Sequence, residues 1–278
     1  MRTPYVLAGL LVAVVALALG WVILAGSPRD AGAGTLRALY AIEPPFAFVD
    51  SHGRVTGEAP EVLRIVARRA GFRDVEFVHA EFGQLLHDLM NGRAEVVASG
   101  LFVTPERARS VRFTRPTARV GTGLVVATGN PLDLHGLDDV AAHPEAVLAV
   151  VDGAVEMQQA RRAGVPPARL QRHGDANGAV VAVIEGRADA LALSDVSIGY
   201  MLASSGYTGI EAVAAVRQPQ RDGREDPGWP AFALRTDDEA LARRLDEALA
   251  GFLGSAEHRA LVARFGFAPH NLVAEVRP

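Results

Sequence analysis

Residues 99–116 read SGLFVTPERARSVRFTRP, and the organisation of the chain depends on this stretch. A short apolar run at residues 96–98 leads into it and predicts a strand. Thr104 followed by Pro105 is typical of a helix start, because threonine caps free N–H groups and proline suits the first helical position. The strand and helix pattern begins again after Pro116. The stretch therefore predicts the end of one β/α set and the start of another.

Short apolar strands alternate with helical patterns on both sides of this stretch. Before it, we expect strands at residues 36–42 and 75–78 and helices at residues 60–70 and 82–90. After it, we expect strands at 123–128, 147–151, 190–193 and 231–234, and helices at 154–163, 176–188, 196–203, 237–250 and 256–265. The polar residues 218–228 predict an exposed loop. The alternation predicts an α/β fold with largely parallel sheets.

Two successive β/α sets, with helices returning at the end, predict two lobes with a ligand cleft between them. We assign residues 35–118 to the first lobe, 119–228 to the second, and 229–278 to a return to the first. The chain is then expected to cross between the lobes near residues 116–120 and 226–230.

Residues 1–34 are expected to form a separate export segment. The 22 residues from 5 to 26 are uncharged, which is enough to cross a bilayer core of about 30 Å at about 1.5 Å per residue. Arg2 precedes them, so the N-terminus is expected in the cytoplasm and the remainder outside. Ala31-Gly32-Ala33 resembles a cleavage site, whereas the long apolar run and Trp21 suit an uncleaved anchor. Signal peptide and signal anchor both remain open, and the exported part is expected to be periplasmic.

Composition excludes several functional classes. The chain has 28 basic and 32 acidic side chains and a net charge of −4, without a basic stripe, so we expect no nucleic-acid partner. It has no cysteine, which excludes disulfides, thiolate metal sites and a cysteine nucleophile. Its eight histidines lack metal-ligand spacing, and common enzyme signatures are missing. We therefore expect no metal, no cofactor and no catalysis.

Three groups of motifs together resemble a known family. They are Glu43-Pro44-Pro45-Phe46 with GEAPEV at residues 57–62, Glu81-Phe82-Gly83, and the stretch at residues 99–116. Their order and spacing resemble the family 3 extracellular solute-binding proteins of ABC importers. Thr-Pro-Glu-Arg and the later Phe-x-x-Pro are typical of the whole family, whereas the other motifs resemble its ectoine/hydroxyectoine-binding branch. The resemblance implies a two-lobed type II periplasmic-binding-protein fold, an ABC permease as partner, and a monomer.

The resemblance also implies a set of ligand-binding residues. The family's carboxylate-holding arginine corresponds to Arg107, and a guanidinium offers a carboxylate two parallel donors. The branch's three aromatic residues around a cationic ring correspond to Phe46, Phe82 and Phe102, and its glutamate for the ring N–H groups corresponds to Glu43. A cation over an aromatic face gains about 0.5–2 kcal/mol. These residues predict a small zwitterionic solute.

Gly100 and the second lobe complete the predicted site. Gly100 belongs to the branch motif that ends at the third aromatic residue. Many relatives hold an α-amino group with an aspartate that Asp195 matches only one residue late. Gly153-Ala154-Val155 lacks the hydroxyl groups usual at that helix start. These departures argue against an ordinary α-amino acid, so we expect ectoine or hydroxyectoine first, and a betaine-like solute or cationic amino acid second.

Two other functional classes remain open. Periplasmic cyclohexadienyl dehydratases also resemble this family, and an enzyme of that kind would need a general acid or base, for which Glu43 and Asp195 are candidates. An uncleaved N-terminal segment would instead favour a membrane-anchored sensor or accessory subunit. The leading prediction is a binding protein without catalysis.

Overall fold

The structure, a computed structural model, describes residues 34–273. The predicted export segment at residues 5–26 lies outside the described residues. Within residues 34–273, no helix is both long enough and apolar enough to cross a membrane.

Strands and short helices alternate along the described chain, which confirms the α/β prediction. The strands are β1 (Thr35–Tyr40), β2 (Phe48–Val49), β3 (Val55–Thr56), β4 (Asp74–His79), β5 (Val96–Val97), β6 (Val111–Phe113), β7 (Thr122–Ala127), β8 (Leu148–Val151), β9 (Leu170–His173), β10 (Ala190–Ser194), β11 (Ile210–Ala212), β12 (Gln220–Arg221), β13 (Arg224–Glu225) and β14 (Ala233–Arg235). The α-helices are α1 (Glu58–Arg69), α2 (Leu85–Met90), α3 (Leu137–Ala142), α4 (Val155–Arg162), α5 (Ala176–Ile184), α6 (Asp195–Ser204), α7 (Glu239–Ala250) and α8 (Ala256–Ala263).

Each lobe is built on one five-stranded sheet. The first sheet has the order β4-β1-β5-β14-β6, and the second has the order β11-β7-β10-β8-β9. Strand β1 runs parallel to β4 and β5, and β8 runs parallel to β9 and β10. Strand β14 is antiparallel to β5 and β6, and β7 is antiparallel to β10 and β11. The prediction of largely parallel sheets is therefore wrong. Parallel neighbours need a crossover connection, whereas β14 enters the first sheet only after the chain has passed through the second lobe.

The two segments that join the lobes run side by side. The N–H of Val120 donates to the carbonyl of Gly228 at 3.0 Å, and the N–H of Gly228 donates back at 2.8 Å. This pair lies beside the lobe boundaries expected at residues 118–119 and 228–229, which stay a prediction.

Two local predictions differ from the structure. The helix expected after Pro105 is only a 3-10 turn, Arg107–Arg109, because β6 already begins at Val111. The residues expected as a loop at 218–228 contain the β12–β13 hairpin. Asp222 and Gly223 both have positive φ, 52° and 75°, as a two-residue hairpin turn that matches strand twist requires.

Apolar side chains from both lobes meet in one cluster. Phe46 and Phe102 of the first lobe belong to the same buried cluster as Val155 and Val196 of the second. The lobes therefore contact each other where the predicted ligand residues lie.

Candidate functional site between the lobes

The site lies at the carboxyl ends of parallel strands in both sheets, the edge where ligands commonly bind in α/β folds. In the first lobe, Glu43 follows β1, Phe82 follows β4 and Gly100 follows β5. In the second lobe, the start of α4 follows β8 and the start of α6 follows β10. The sheet topology thus brings together side chains that are far apart in the sequence.

Arg107 connects the two lobes. Its Nη1 donates to the carbonyl of Phe102 at 2.7 Å, and its Nη2 donates to the carbonyl of Gly153 in the second lobe at 2.8 Å. Its guanidinium carbon lies 5.9 Å from the ring centre of Phe82. Burial lowers the pKa of Arg107, and the neighbouring carboxylates, with that of Glu156 foremost, partly oppose this effect. An arginine keeps its charge under such a change, so Arg107 presents a cation at the junction of the lobes.

Glu43 is a buried acid on which the charge of Arg107 acts. Its backbone pairs with that of Ala47 at 2.8 and 3.1 Å, which closes the turn that carries it. The hydroxyl of Ser197, from α6 in the second lobe, donates to Oε1 of Glu43 at 3.2 Å. Burial raises the pKa of Glu43 to about 8, and the charge of Glu156 adds to the rise. Ser197 and Arg107 act in the other direction.

Two of the three predicted aromatic residues, Phe46 and Phe102, lie together. The fully buried ring of Phe46 meets Phe102 edge-on at 6.1 Å between ring centres and Phe267 at 5.6 Å. Gly100 has a φ of +63°, and a Cβ at this position would lie 2.7 Å from Cδ1 of Phe46 and 2.8 Å from its Cβ. Only glycine therefore leaves room for this ring, so the effect of Gly100 is to allow Phe46 to occupy its position.

A cavity of about 90 Å³ opens between the lobes beside these groups. Glu43, Phe82, Glu81 and Asp175 lie in its wall, together with His79. Three of these side chains are acidic, which gives the cavity an environment suited to cationic groups. Within residues 34–273, no cluster of three or more histidine or carboxylate side chains could hold a metal ion.

Asp195 lies apart from the other predicted residues. Its Oδ1 accepts the N–H of Val196 at 2.8 Å at the start of α6. It lines a different cavity, of about 220 Å³, with Arg119, Gly121 and His270. The structure brings Glu43, Phe46, Phe82, Gly100, Phe102 and Arg107 together, but it places Asp195 next to Gly121, near the crossing segments. Its role as a ligand residue stays a prediction without a contact to the rest of the site.

Glu156 and Ser197 lie beside the predicted site residues although the sequence did not indicate them. Glu156 lies in the first turn of α4, where an acid is common because it favours the positive end of a helix, so it carries no distinctive signal. Ser197 lies two residues after Asp195, and only its contact with Glu43 reveals a role.

The sequence model of one family matches nearly all of the described residues. Residues 36–268 match the bacterial extracellular solute-binding proteins, family 3. A probable amino-acid ABC transporter periplasmic-binding protein of Sinorhizobium fredii, y4tE, is 28% identical over 243 residues, which cover 87% of this chain and 80% of that protein.

Solved structures share the fold as well. The crystal structure of EhuB in complex with hydroxyectoine matches with a TM-score of 0.78 and 31% identity, covering 84% of this chain and 89% of that one. The ancestral amino acid-binding protein AncCDT-1, a precursor of cyclohexadienyl dehydratase, matches with a TM-score of 0.72 and 24% identity, covering 84% and 95%. The two-lobed architecture and the extent of the family match lead to one conclusion: this chain belongs to the bacterial extracellular solute-binding proteins of family 3.

Proposed function

We propose that this protein captures a compact zwitterionic solute outside the cytoplasm and delivers it to an ABC importer. The observation that carries the proposal is that a guanidinium and a buried carboxyl group come together where the lobes meet. Arg107 offers a partly buried cation, Glu43 offers a buried acid whose charged form a solute cation would stabilise, and the ring of Phe82 lies beside both. A solute with a carboxylate at one end and a cationic group at the other would satisfy both charges.

The chemistry of Glu43 favours a cation that carries N–H groups. A carboxylate needs hydrogen-bond donors, which a cyclic amidinium supplies and a quaternary ammonium lacks. The phenylalanine rings favour a delocalised charge. Ectoine or hydroxyectoine is therefore the first candidate, and the similarity to EhuB, solved with hydroxyectoine, supports this choice. Glycine betaine would use the rings but leave Glu43 without a donor.

Membership of the family supports export and delivery to a permease. The relative y4tE is named as a periplasmic-binding protein of an amino-acid ABC transporter. Arg2 and the uncharged residues 5–26 support an N-terminal segment that is either removed or kept as a membrane anchor. N-terminal sequencing of the exported protein distinguishes these two states.

One observation favours an enzyme as a second candidate. The raised pKa of Glu43, about 8, would suit a general acid at neutral pH. AncCDT-1, a precursor of cyclohexadienyl dehydratase, is 24% identical to this chain, and this similarity supports a shared fold only. Incubation with candidate solutes followed by a search for products separates the two functions, and we expect the solutes to be recovered unchanged.

Calorimetry with Arg107→Ala tests the proposed function. We expect the wild-type protein to bind ectoine more tightly than glycine betaine. Charge-assisted hydrogen bonds contribute about 1.5–3 kcal/mol each, so losing two and leaving a carboxylate unpaired should weaken ectoine binding at least about 100-fold. Arg109→Ala, an exposed arginine on the same 3-10 turn, is the matched control and should stay within about twofold. Binding by Arg107→Ala within a few-fold of wild type would show that this arginine does not hold the solute.

A further inference from the structure

We propose that Glu156 is a second carboxylate of the solute site and recognises an additional cationic nitrogen. The site would then accept, besides neutral zwitterions, monocarboxylates that carry two cationic groups with N–H donors. The inference rests on the proposed function, from which it takes the roles of Arg107 and Glu43.

The start of α4 lies directly against the predicted site. Glu156 is the second residue of this helix and is only 4% exposed. The carbonyl of Gly153, three residues earlier, accepts the guanidinium of Arg107 at 2.8 Å. Val155, the preceding residue, packs in the same buried cluster as Phe102. Glu156 therefore lies in the second lobe, close to the segment that Arg107 contacts.

Glu156 has no side-chain partner within the described part of the chain. Its carboxylate meets only its own backbone N–H, whereas Glu43 accepts the hydroxyl of Ser197. Burial raises the pKa of Glu156 to about 7, and its own backbone N–H and the charge of Arg107 only partly oppose the rise. A cationic N–H group from a solute would supply a further donor.

The charges at the junction are unequal. Glu43 and Glu156 are two buried acids, and Arg107 is the cation on which both act. The charge of Glu156 also acts on Glu43, so the three groups are within electrostatic reach of one another. A solute carboxylate would occupy Arg107, which leaves two acids for cationic groups. Glu81 and Asp175 in the cavity wall add two further acidic side chains.

A structural role is the alternative for Glu156. An acid in the first turn of a helix stabilises the positive helix end, and Glu156 would then act on folding without selecting solutes. The two roles differ in a measurable way, because helix stabilisation affects every solute alike.

The test is calorimetry on wild type and Glu156→Gln with two solutes that differ by one cationic group, 2,4-diaminobutyrate and 2-aminobutyrate, and with ectoine. We expect wild type to prefer 2,4-diaminobutyrate at least about tenfold and Glu156→Gln to prefer it less than about threefold, with ectoine affinity changed less than about threefold. Glu106→Gln removes the same charge from an exposed glutamate that bonds Gln158 at 2.7 Å, and it should keep the preference. Glutamine has nearly the shape of protonated glutamate, and thermal melting checks that the variant is folded.

The other outcomes separate the two proposals. If ectoine binding depends on Arg107 but the preference for 2,4-diaminobutyrate is absent or survives in Glu156→Gln, the role of Glu156 is refuted and the proposed function stands. Equal weakening of all three solutes in Glu156→Gln would also refute it, in favour of the structural role. If wild type binds none of the solutes, both proposals fail.

Discussion

Glu58 provides the sharpest test of the electrostatics beneath the site. It is the first residue of α1, is fully buried, and neither carboxylate oxygen has a hydrogen-bond partner. Its N–H donates to the carbonyl of Pro45 at 2.9 Å, which ties the helix to the loop that carries Glu43. Burial raises the pKa of Glu58 to about 7, and the nearby hydroxyl of Thr117 moderates the rise.

The raised pKa makes the contribution of Glu58 to stability depend on pH. Between its ordinary pKa of 4.5 and about 7, the folded state retains a proton that the unfolded state has released. The contribution of Glu58 to the free energy of unfolding is therefore highest below pH 4.5 and falls as the pH rises to about 7. The folded and unfolded pKa values of Glu58 differ by about 2.5, and one pKa unit corresponds to about 1.4 kcal/mol. By pH 8 the contribution of Glu58 to the free energy of unfolding has therefore fallen by about 3 kcal/mol.

Replacing Glu58 with glutamine removes this charge at nearly constant shape. Urea unfolding should find Glu58→Gln more stable than wild type by about 1 kcal/mol at pH 5 and by about 3 kcal/mol at pH 8. Glu43 and Glu156 are present in both proteins, so their own titrations cancel in the difference. Glu76→Gln, an exposed strand residue, controls for the loss of one negative charge. A stability difference that is the same at pH 5 and pH 8 would refute the reasoning.

Two further predictions concern the support of the site. Gly100→Ala should lower the free energy of unfolding by about 1–3 kcal/mol and weaken ectoine binding, because the new Cβ displaces Phe46 from its place. Gly129→Ala has a similarly positive φ but open space, so it should cost less in thermal melting and leave binding intact; equal effects of the two would contradict the clash. Ser197→Ala should weaken ectoine binding about tenfold in calorimetry, since the hydroxyl donates to a buried acid. Ser204→Ala, at the exposed end of the same helix, should change nothing, and unchanged binding by Ser197→Ala would argue against this contact.

All the site residues predicted from the sequence except Asp195 lie in the first lobe. Glu43, Phe82 and Gly100 each follow a strand, and parallel strands end at one edge, so the three lie at the same edge of the sheet, and their role in binding stays a prediction. Asp195 also follows a strand, yet its side chain lies in the cavity near the crossing segments. The end of a strand determines where the backbone of the next residue lies. The backbone turn that follows determines which way the side chain of that residue points.

The α/β class, most element positions and the identity of the family were determined by the sequence alone. Periodicity, capping residues and motif spacing are properties of neighbouring residues, so a chain carries them without its partners. Tertiary structure alone decided the mixed strand directions, the shortening of the expected helix to a 3-10 turn at Arg107–Arg109, and the burial of Glu156. The charge state of a buried carboxyl group depends on how much solvent is removed from around it and on which groups of the other lobe lie next to it. The burial and the neighbouring groups are defined only when the two lobes meet.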